Sequence, residues 1–256
     1  MRFLCLHGSG SSAQIFDTQL SVLQRALGPR YEFVFLQGEF PSEPGLGVEG
    51  MYPGPYYSLF DIPTKGRLVD AFALIDEYWE SDGPFDGLIG FSQGGSAVAS
   101  YLLQPPTARK PFECALFFSS SVPFNPLSPP WSFIDRDHFM DATTGEAIST
   151  DDLMRSIPEA AQLDPSRHPN LKDELLLRRY TGFQRDTIRI DLPTVHVYAT
   201  NDPWYYDQCM DTEKLCRALN RETVLHKGGH SVPWDAGTTE AIIDGIRNMQ
   251  QALDLT

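Results

Sequence analysis

Residues 85–97 read Phe85-Asp86-Gly87-Leu88-Ile89-Gly90-Phe91-Ser92-Gln93-Gly94-Gly95-Ser96-Ala97. A short apolar strand, 87–91, runs into Gly-x-Ser-x-Gly and then straight into a helix-forming segment that continues Val98-Ala99-Ser100-Tyr101-Leu102-Leu103. A turn this tight leaves no room for side chains on the residues that flank the serine, which accounts for Gly90 and Gly94. It lifts the Ser92 hydroxyl clear of the strand end and sets it at a helix N-terminus. Free N–H groups and the helix dipole there favour developing negative charge. An ordinary strand–turn–helix corner would satisfy the same short pattern, so the decision rests on partners elsewhere in the chain.

Outward from this corner, strand and helix patterns alternate. Strands are expected over 3–6, 31–36, 87–91, 114–119, 194–198 and 223–226, and helices over 12–27, 67–80, 93–103, 206–219 and 238–253. Near-continuous apolar strands separated by amphipathic helices imply an α/β fold: a mainly parallel sheet with helices on both faces. The chain of 256 residues suits one domain across 1–256. Two stretches interrupt the alternation. Residues 40–60 are rich in Gly, Pro and aromatics and too long for an ordinary connection, which suggests a functional loop. Residues 122–191 open on Pro123, Pro126, Pro129 and Pro130 and contain helix-capable pieces at 150–156 and 171–180. They are expected to form a cap or lid insertion over the serine.

Composition excludes some functions. A formal net charge of −14 repels phosphate backbones and anionic membrane surfaces, so nucleic acid is not an expected partner. No apolar run reaches the roughly 20 residues of a membrane span, and the first residues do not read as a targeting segment. Cys5 and Cys114 sit in apolar strands, while Cys209 and Cys216 fall on the expected helix 206–219. No spacing suggests zinc. A reduced, cytoplasmic protein without metal or other cofactor is expected.

A serine hydroxyl needs a base, and the base needs an orienting carboxylate. The strand 194–198 ends in Ala199-Thr200-Asn201-Asp202-Pro203, which places Asp202 where such a carboxylate belongs. The last strand runs into Lys227-Gly228-Gly229-His230-Ser231, which makes His230 the expected base. Asp202 could instead begin a turn, with Asp207 as the nearest substitute. His226 competes with His230 but lies at a strand end. His196 reads as a core histidine, and His138 and His168 receive no chemistry. The oxyanion donors are expected to be the backbone N–H of Gln93 and that of Ser9, in the small-residue loop after the first strand. His7 is read as anchoring that loop. Tyr56, Tyr57, Phe91, Trp131 and Trp204, with Phe60 and Trp234, are candidates to line a substrate pocket.

The start LCLHGSGSS (4–12), the segment GPYYSLF (54–60), the elbow GFSQGG (90–95) and the ending Gly229-His230 together resemble the fungal serine hydrolase (FSH) family of α/β-hydrolases. The likeness spans nearly the whole chain and is weakest across 125–185. It implies a Ser–Asp–His triad at Ser92, Asp202 and His230, with oxyanion donors at Ser9 and Gln93. The family includes small esterases and discrete thioesterases that release products from fungal polyketide synthases. The expectation is therefore a serine hydrolase cleaving an ester or thioester through an acyl-enzyme. Its substrate is read as a polyketide or other apolar acyl chain of secondary metabolite biosynthesis, borne on an acyl-carrier domain. The acidic chain would then need a local basic patch, for which Arg178-Arg179 with Arg185, or Arg109-Lys110, are candidates. An acyl-protein thioesterase, a general carboxylesterase, or a non-catalytic binding or cyclase module are the alternatives.

Overall fold

The computed structural model describes residues 1–125, 130–135, 138–147, 173, 175–180 and 189–255. In chain order the elements are β1 (Arg2–Leu6), α1 (Ala13–Leu27), β2 (Glu32–Leu36), β3 (Phe40–Pro41), β4 (Tyr57–Ser58), α2 (Lys65–Asp82), β5 (Gly87–Phe91) and α3 (Gln93–Leu102). They continue with β6 (Cys114–Phe118), β7 (Phe124–Asn125), β8 (Trp131–Asp135), β9 (His138–Asp141), β10 (Leu175–Leu176) and β11 (Arg178–Arg179). Last come β12 (Thr194–Ala199), α4 (Tyr206–Lys214), β13 (Arg221–His226) and α5 (Ala236–Asp254).

A six-stranded sheet in the order β13-β12-β6-β5-β1-β2 forms the centre. Every neighbouring pair in it is parallel. Alternation along the strands feeds two cores. Leu4, Leu6, Leu88 and Phe117 face one, which α2 and α3 close through Leu68, Ile75, Val98 and Tyr101. Phe3, Cys5, Ile89, Phe118 and Val197 face the other, closed by Phe16 and Leu20 of α1 and Ile242 and Ile246 of α5. Side-chain caps start the outer helices: Ser12 Oγ accepts from Ile15 N at 3.2 Å, and Asp235 Oδ1 from Thr238 N at 2.9 Å. Helix α3 is buried along all of its residues, as a helix held between sheet and surrounding loops must be.

The strand expectations agree with the sheet to within a residue or two at each end. The helix expected over 206–219 is shorter, because α4 stops at Lys214 and the chain turns to bridge Cys216 to Ile190. Ile190 N donates to Leu215 O at 2.8 Å and Arg217 N to Ile190 O at 3.0 Å, which takes the backbone out of the helix. Cys216 therefore lies beyond the helix; all four cysteines are free and buried.

The helix-capable piece 150–156 lies outside the described residues, as does most of the expected cap. The piece at 171–180 is not helical over 175–180. Leu175–Leu176 pairs antiparallel with β8, and Arg178–Arg179 with β7. Leu177 N donates to Pro63 O at 2.7 Å, so these backbone groups are satisfied by neighbouring segments and not by an i−4 ladder. Arg179 is also not a surface group. Its guanidinium is buried over the Phe124 ring, 4.5 Å from the centroid, and donates to Val122 O. Arg185 lies outside the described residues.

Candidate active site

Ser92 follows β5 and caps α3 with φ 53° and ψ −114°, in the left-handed half of the map that residues with a Cβ avoid. The strain is held by contacts that no bulkier neighbour allows. A Cβ on Gly90 would lie 2.6 Å from Gly94 O, and one on Gly94 would lie 2.1 Å from Leu6 O. Ser92 N is tied to Phe118 O at 3.0 Å, and Ser96 N to Ser92 O at 3.1 Å, which starts α3.

Two later strand ends converge on this hydroxyl. Asp202 follows β12, with Oδ1 accepting the N–H groups of Trp204 and Tyr205, both at 3.1 Å. Its Oδ2 lies 2.8 Å from His230 Nδ1, and His230 Nε2 lies 3.0 Å from Ser92 Oγ. Asp202 is 3% exposed. Burial pushes its carboxyl up, but the hydrogen bond and charge of His230, with the two N–H donors, hold it on balance below the usual range. An ionised carboxylate can only accept, so the proton sits on Nδ1 and Nε2 is left to accept from Ser92. Asn201 ties the two loops, donating to Lys227 O at 3.0 Å and accepting from Gly229 N at 3.1 Å. The His230 ring lies between Tyr205, stacked at 4.1 Å, and Phe91 at 5.2 Å.

Ser9 and Gln93, whose N–H groups are the expected oxyanion donors, wall the same small cavity as Ser92. Gln93 opens α3, so its N–H has no intrahelical acceptor. Its side chain clamps the loop after β4: Oε1 accepts from Leu59 N at 2.9 Å and Nε2 donates to Phe60 O at 3.0 Å. On the other side, His7 Nε2 accepts from Gly38 N at 2.9 Å, so Nδ1 carries the hydrogen and donates to Gly8 O at 2.7 Å. The Gly8 carbonyl and the Ser9 N–H share one trans peptide and point in opposite directions. Pinning the carbonyl therefore aims the N–H. A Cβ on Gly8 would come within 3.3 Å of Ser92 Cβ, which shows how closely this loop packs on the serine.

Three connected spaces reach the site. A cavity of about 50 Å³ is walled by Ser9, Leu46, Phe91, Gln93, Tyr205 and His230, with Ser92 in it. A chamber of about 550 Å³ shares the Ser9, Leu46 and Gln93 walls and runs to Phe40, Ser58 and Phe60. A groove of about 220 Å³ shares Leu46, Phe91 and His230 and runs to Met51 and Trp234. A larger cavity, about 780 Å³, lies away from Ser92 between α2, the end of α3 and Tyr180.

With this arrangement in place, comparison with known proteins is informative. Residues 1–242 match the family described as "Serine hydrolase (FSH1)". The chain belongs to this serine hydrolase family. It is 31% identical to "Esterase alnB" of Emericella nidulans, over 94% of this chain and 93% of that one. It is 29% identical to "Hydrolase phiM" of Talaromyces stipitatus, over 100% and 90%. The fold is that of solved α/β-hydrolases. "Alpha/beta hydrolase domain-containing protein 10 from mouse" superposes with TM-score 0.54 at 11% identity, covering 98% of this chain and 90% of that one. Arabidopsis thaliana SOBER1 gives 0.51 at 17%, covering 98% and 99%. The molecule is thus a hydrolase. Among its described residues no helix is long and apolar enough to cross a membrane, and no group of three His, Cys, Asp or Glu is placed to hold a metal ion.

The other residues named from the sequence fall differently in this serine hydrolase. Phe91 walls both the cavity and the groove; Phe60 lines the chamber and Trp234 the groove. Tyr56 donates to Tyr52 O at 2.7 Å, and Tyr57 bridges Ser11 through its backbone; neither is among the residues walling these three spaces. Trp204 is 63% exposed and also stands outside them. The Trp131 side chain lies outside the described residues. His226 turns to its own loop, accepting from Gly228 N at 3.1 Å, while His196 is buried against Phe117 at 4.9 Å. Sequence reasoning missed Tyr205, Asn201 and the Gln93 amide. Only the adjacency of Asn201 and Tyr205 to Asp202 could have drawn notice.

Proposed function

We propose that this serine hydrolase cleaves an ester or thioester through an acyl-enzyme, with Ser92 as nucleophile, His230 as general base and acid, and Asp202 as orienter. The observation that carries this is the unbroken hydrogen-bonded line from Asp202 Oδ2 through His230 to Ser92 Oγ, at 2.8 and 3.0 Å. His230 takes the Ser92 proton as Oγ bonds to the acyl carbon, and the backbone N–H groups of Ser9 and Gln93 receive the oxyanion. The proton then passes from Nε2 to the departing alcohol or thiol, and water repeats the cycle to free the acid. Asp202 holds the imidazole tautomer and stabilises the imidazolium.

For the substrate, the family resemblance supports release of a polyketide or other apolar acyl chain from an acyl-carrier domain. A free-ester carboxylesterase is the second reading, favoured by the esterase relative of similar length. A thioester and an oxygen ester of the same acyl group, compared with the carrier-bound form, separate the two.

The test of the chemistry is labelling with a fluorophosphonate probe and mapping the adduct. One adduct on Ser92, lost in His230→Ala, is expected, and Ser92→Ala should abolish turnover while leaving the unfolding curve in place. Full activity in Ser92→Ala overturns the proposal. An imidazole base works only when neutral, so the rate should fall on acidification, and a rate insensitive to acid counts against His230 as base.

A further inference from the structure

The chamber and the groove share different walls with the small cavity that holds Ser92, the chamber through Ser9 and Gln93 and the groove through Phe91 and His230, and the chemistry assigns them different parts of a substrate. In the tetrahedral adduct the carbon bonded to Ser92 Oγ bears the oxyanion, the leaving atom and the rest of the acyl group. The oxyanion must face the Ser9 and Gln93 N–H groups. The leaving atom must face His230 Nε2, which returns the proton to it as the carbon–oxygen or carbon–sulfur bond breaks. The groove is the space walled by His230, and the chamber is the one walled by Ser9 and Gln93.

Their linings differ in kind. Among the described residues no Asp, Glu, Lys or Arg walls the groove, where Leu46, Met51, Phe91, Val232 and Trp234 stand beside the uncharged Thr18, Gln19 and Ser231. Met51 and Trp234 are 72% and 76% exposed, apolar area that an occupant of the groove would cover. The chamber differs in carrying ionisable groups. A chain of hydroxyls, Ser9 to Ser58 at 2.9 Å and Ser58 to Ser42 at 3.1 Å, runs along it, and Glu43 and Asp61 are in its wall. Leu46 walls all three spaces and stands at their junction, 61% exposed. Its place is held by the loop 40–56, where Gly45 N donates to Gly10 O at 2.8 Å and Val48 N to Gly45 O at 3.0 Å.

We infer that Leu46 divides the substrate, with the acyl group in the Phe40–Phe60 chamber and an uncharged, carbon-rich leaving group in the Met51–Trp234 groove. This rests on the serine hydrolase chemistry proposed above. Acyl size is then selected on one side of Leu46 and alcohol or thiol character on the other.

The experiment uses two ester series on the full chain. One fixes the acyl group and enlarges the alcohol from methyl to benzyl and naphthylmethyl; the other fixes methanol and enlarges the acyl group. A further pair compares a choline ester with its neutral 3,3-dimethylbutyl isostere. Trp234→Ala should reduce the preference for large alcohols about tenfold, the scale of a lost apolar contact, and move the acyl series much less. Phe40→Ala should do the reverse, and Leu46→Ala should blur both. The neutral isostere should be favoured over the choline ester. If Ser92 takes the fluorophosphonate but Trp234→Ala moves the acyl series, or neither series, the subsite assignment fails alone. If Ser92 takes no label and no ester turns over, the hydrolase proposal fails and the assignment with it.

Discussion

At the scale of single residues, the site depends on groups that never touch a substrate. His7 is the clearest. Its ring is held in one tautomer by Gly38 N–H, and burial lowers its pKa from 6.5 to about 4, so it stays neutral and keeps donating to Gly8 O. Loss of an oxyanion donor typically costs about 3 kcal/mol of barrier. His7→Ala should therefore lower kcat by on the order of 10²-fold with a smaller change in KM. Steady-state kinetics alongside urea unfolding will check this; a folded variant with full kcat would mean that other contacts aim the Ser9 peptide. Tyr205 supports the site too, donating its N–H to Asp202 and stacking on His230, and it also walls the cavity at Ser92. Neither role could be read from a residue name alone.

At the scale of elements, the strand β5–turn–helix α3 corner is set by backbone approach. Gly94 sits against Leu6 O and His7 O, at 2.1 and 2.7 Å from an added Cβ. Those neighbours are backbone of β1 and its exit, so they cannot yield without breaking the sheet. Gly94→Ala should cost more than about 4 kcal/mol, seen as loss of the urea transition or failure to fold. Gly28, which ends α1 with φ 75°, has nothing within 4 Å of its added Cβ. Gly28→Ala should cost about 1–3 kcal/mol, less than at Gly94, because φ 75° with ψ −175° is a backbone region that essentially only glycine adopts. Equal losses at the two sites would show that conformation, and not contact, governs the corner.

For the whole molecule, acid stability follows from what the fold buries. His7 and His196 titrate in the native state at about 4 and about 3, each because burial penalises the charged ring. Above about pH 6.5 folded and unfolded chains are both neutral at these positions. Below it the unfolded chain takes up protons that the native state refuses, so stability falls with pH until the native pKa is reached. The His7 shift corresponds to roughly 3 kcal/mol at the low end of that window. Asp202, held below its usual range, adds loss in the same direction at lower pH. Urea midpoints measured from pH 7 to 4 should fall steadily, and less steeply in His196→Gln; a flat series would mean that these rings charge without cost.

Much of this was legible in the chain itself. Strand positions, the glycines at 90 and 94 and the order Ser92, Asp202, His230 follow from local rules: alternation of apolar residues, the room a turn needs, and polar residues placed just after strand ends. The same rules misplace residues 175–180 and Arg179, because the run of leucines and arginines there suits a helix locally and is drawn into extended pairing by β7, β8 and Pro63. They also grouped the aromatics by type, whereas Phe91 borders the site and Trp204 is turned outward. Which side chains wall a space depends on how separate segments meet, as Gly45 meeting Gly10 brings Leu46 to Ser92. The sequence by itself determined the strand positions, the elbow and the order of the candidate triad, since each is written in a local pattern of residues. Only the tertiary structure decided the tautomers of His7 and His230 and the division of space at Leu46, since these depend on partners 28 or more positions away in the chain.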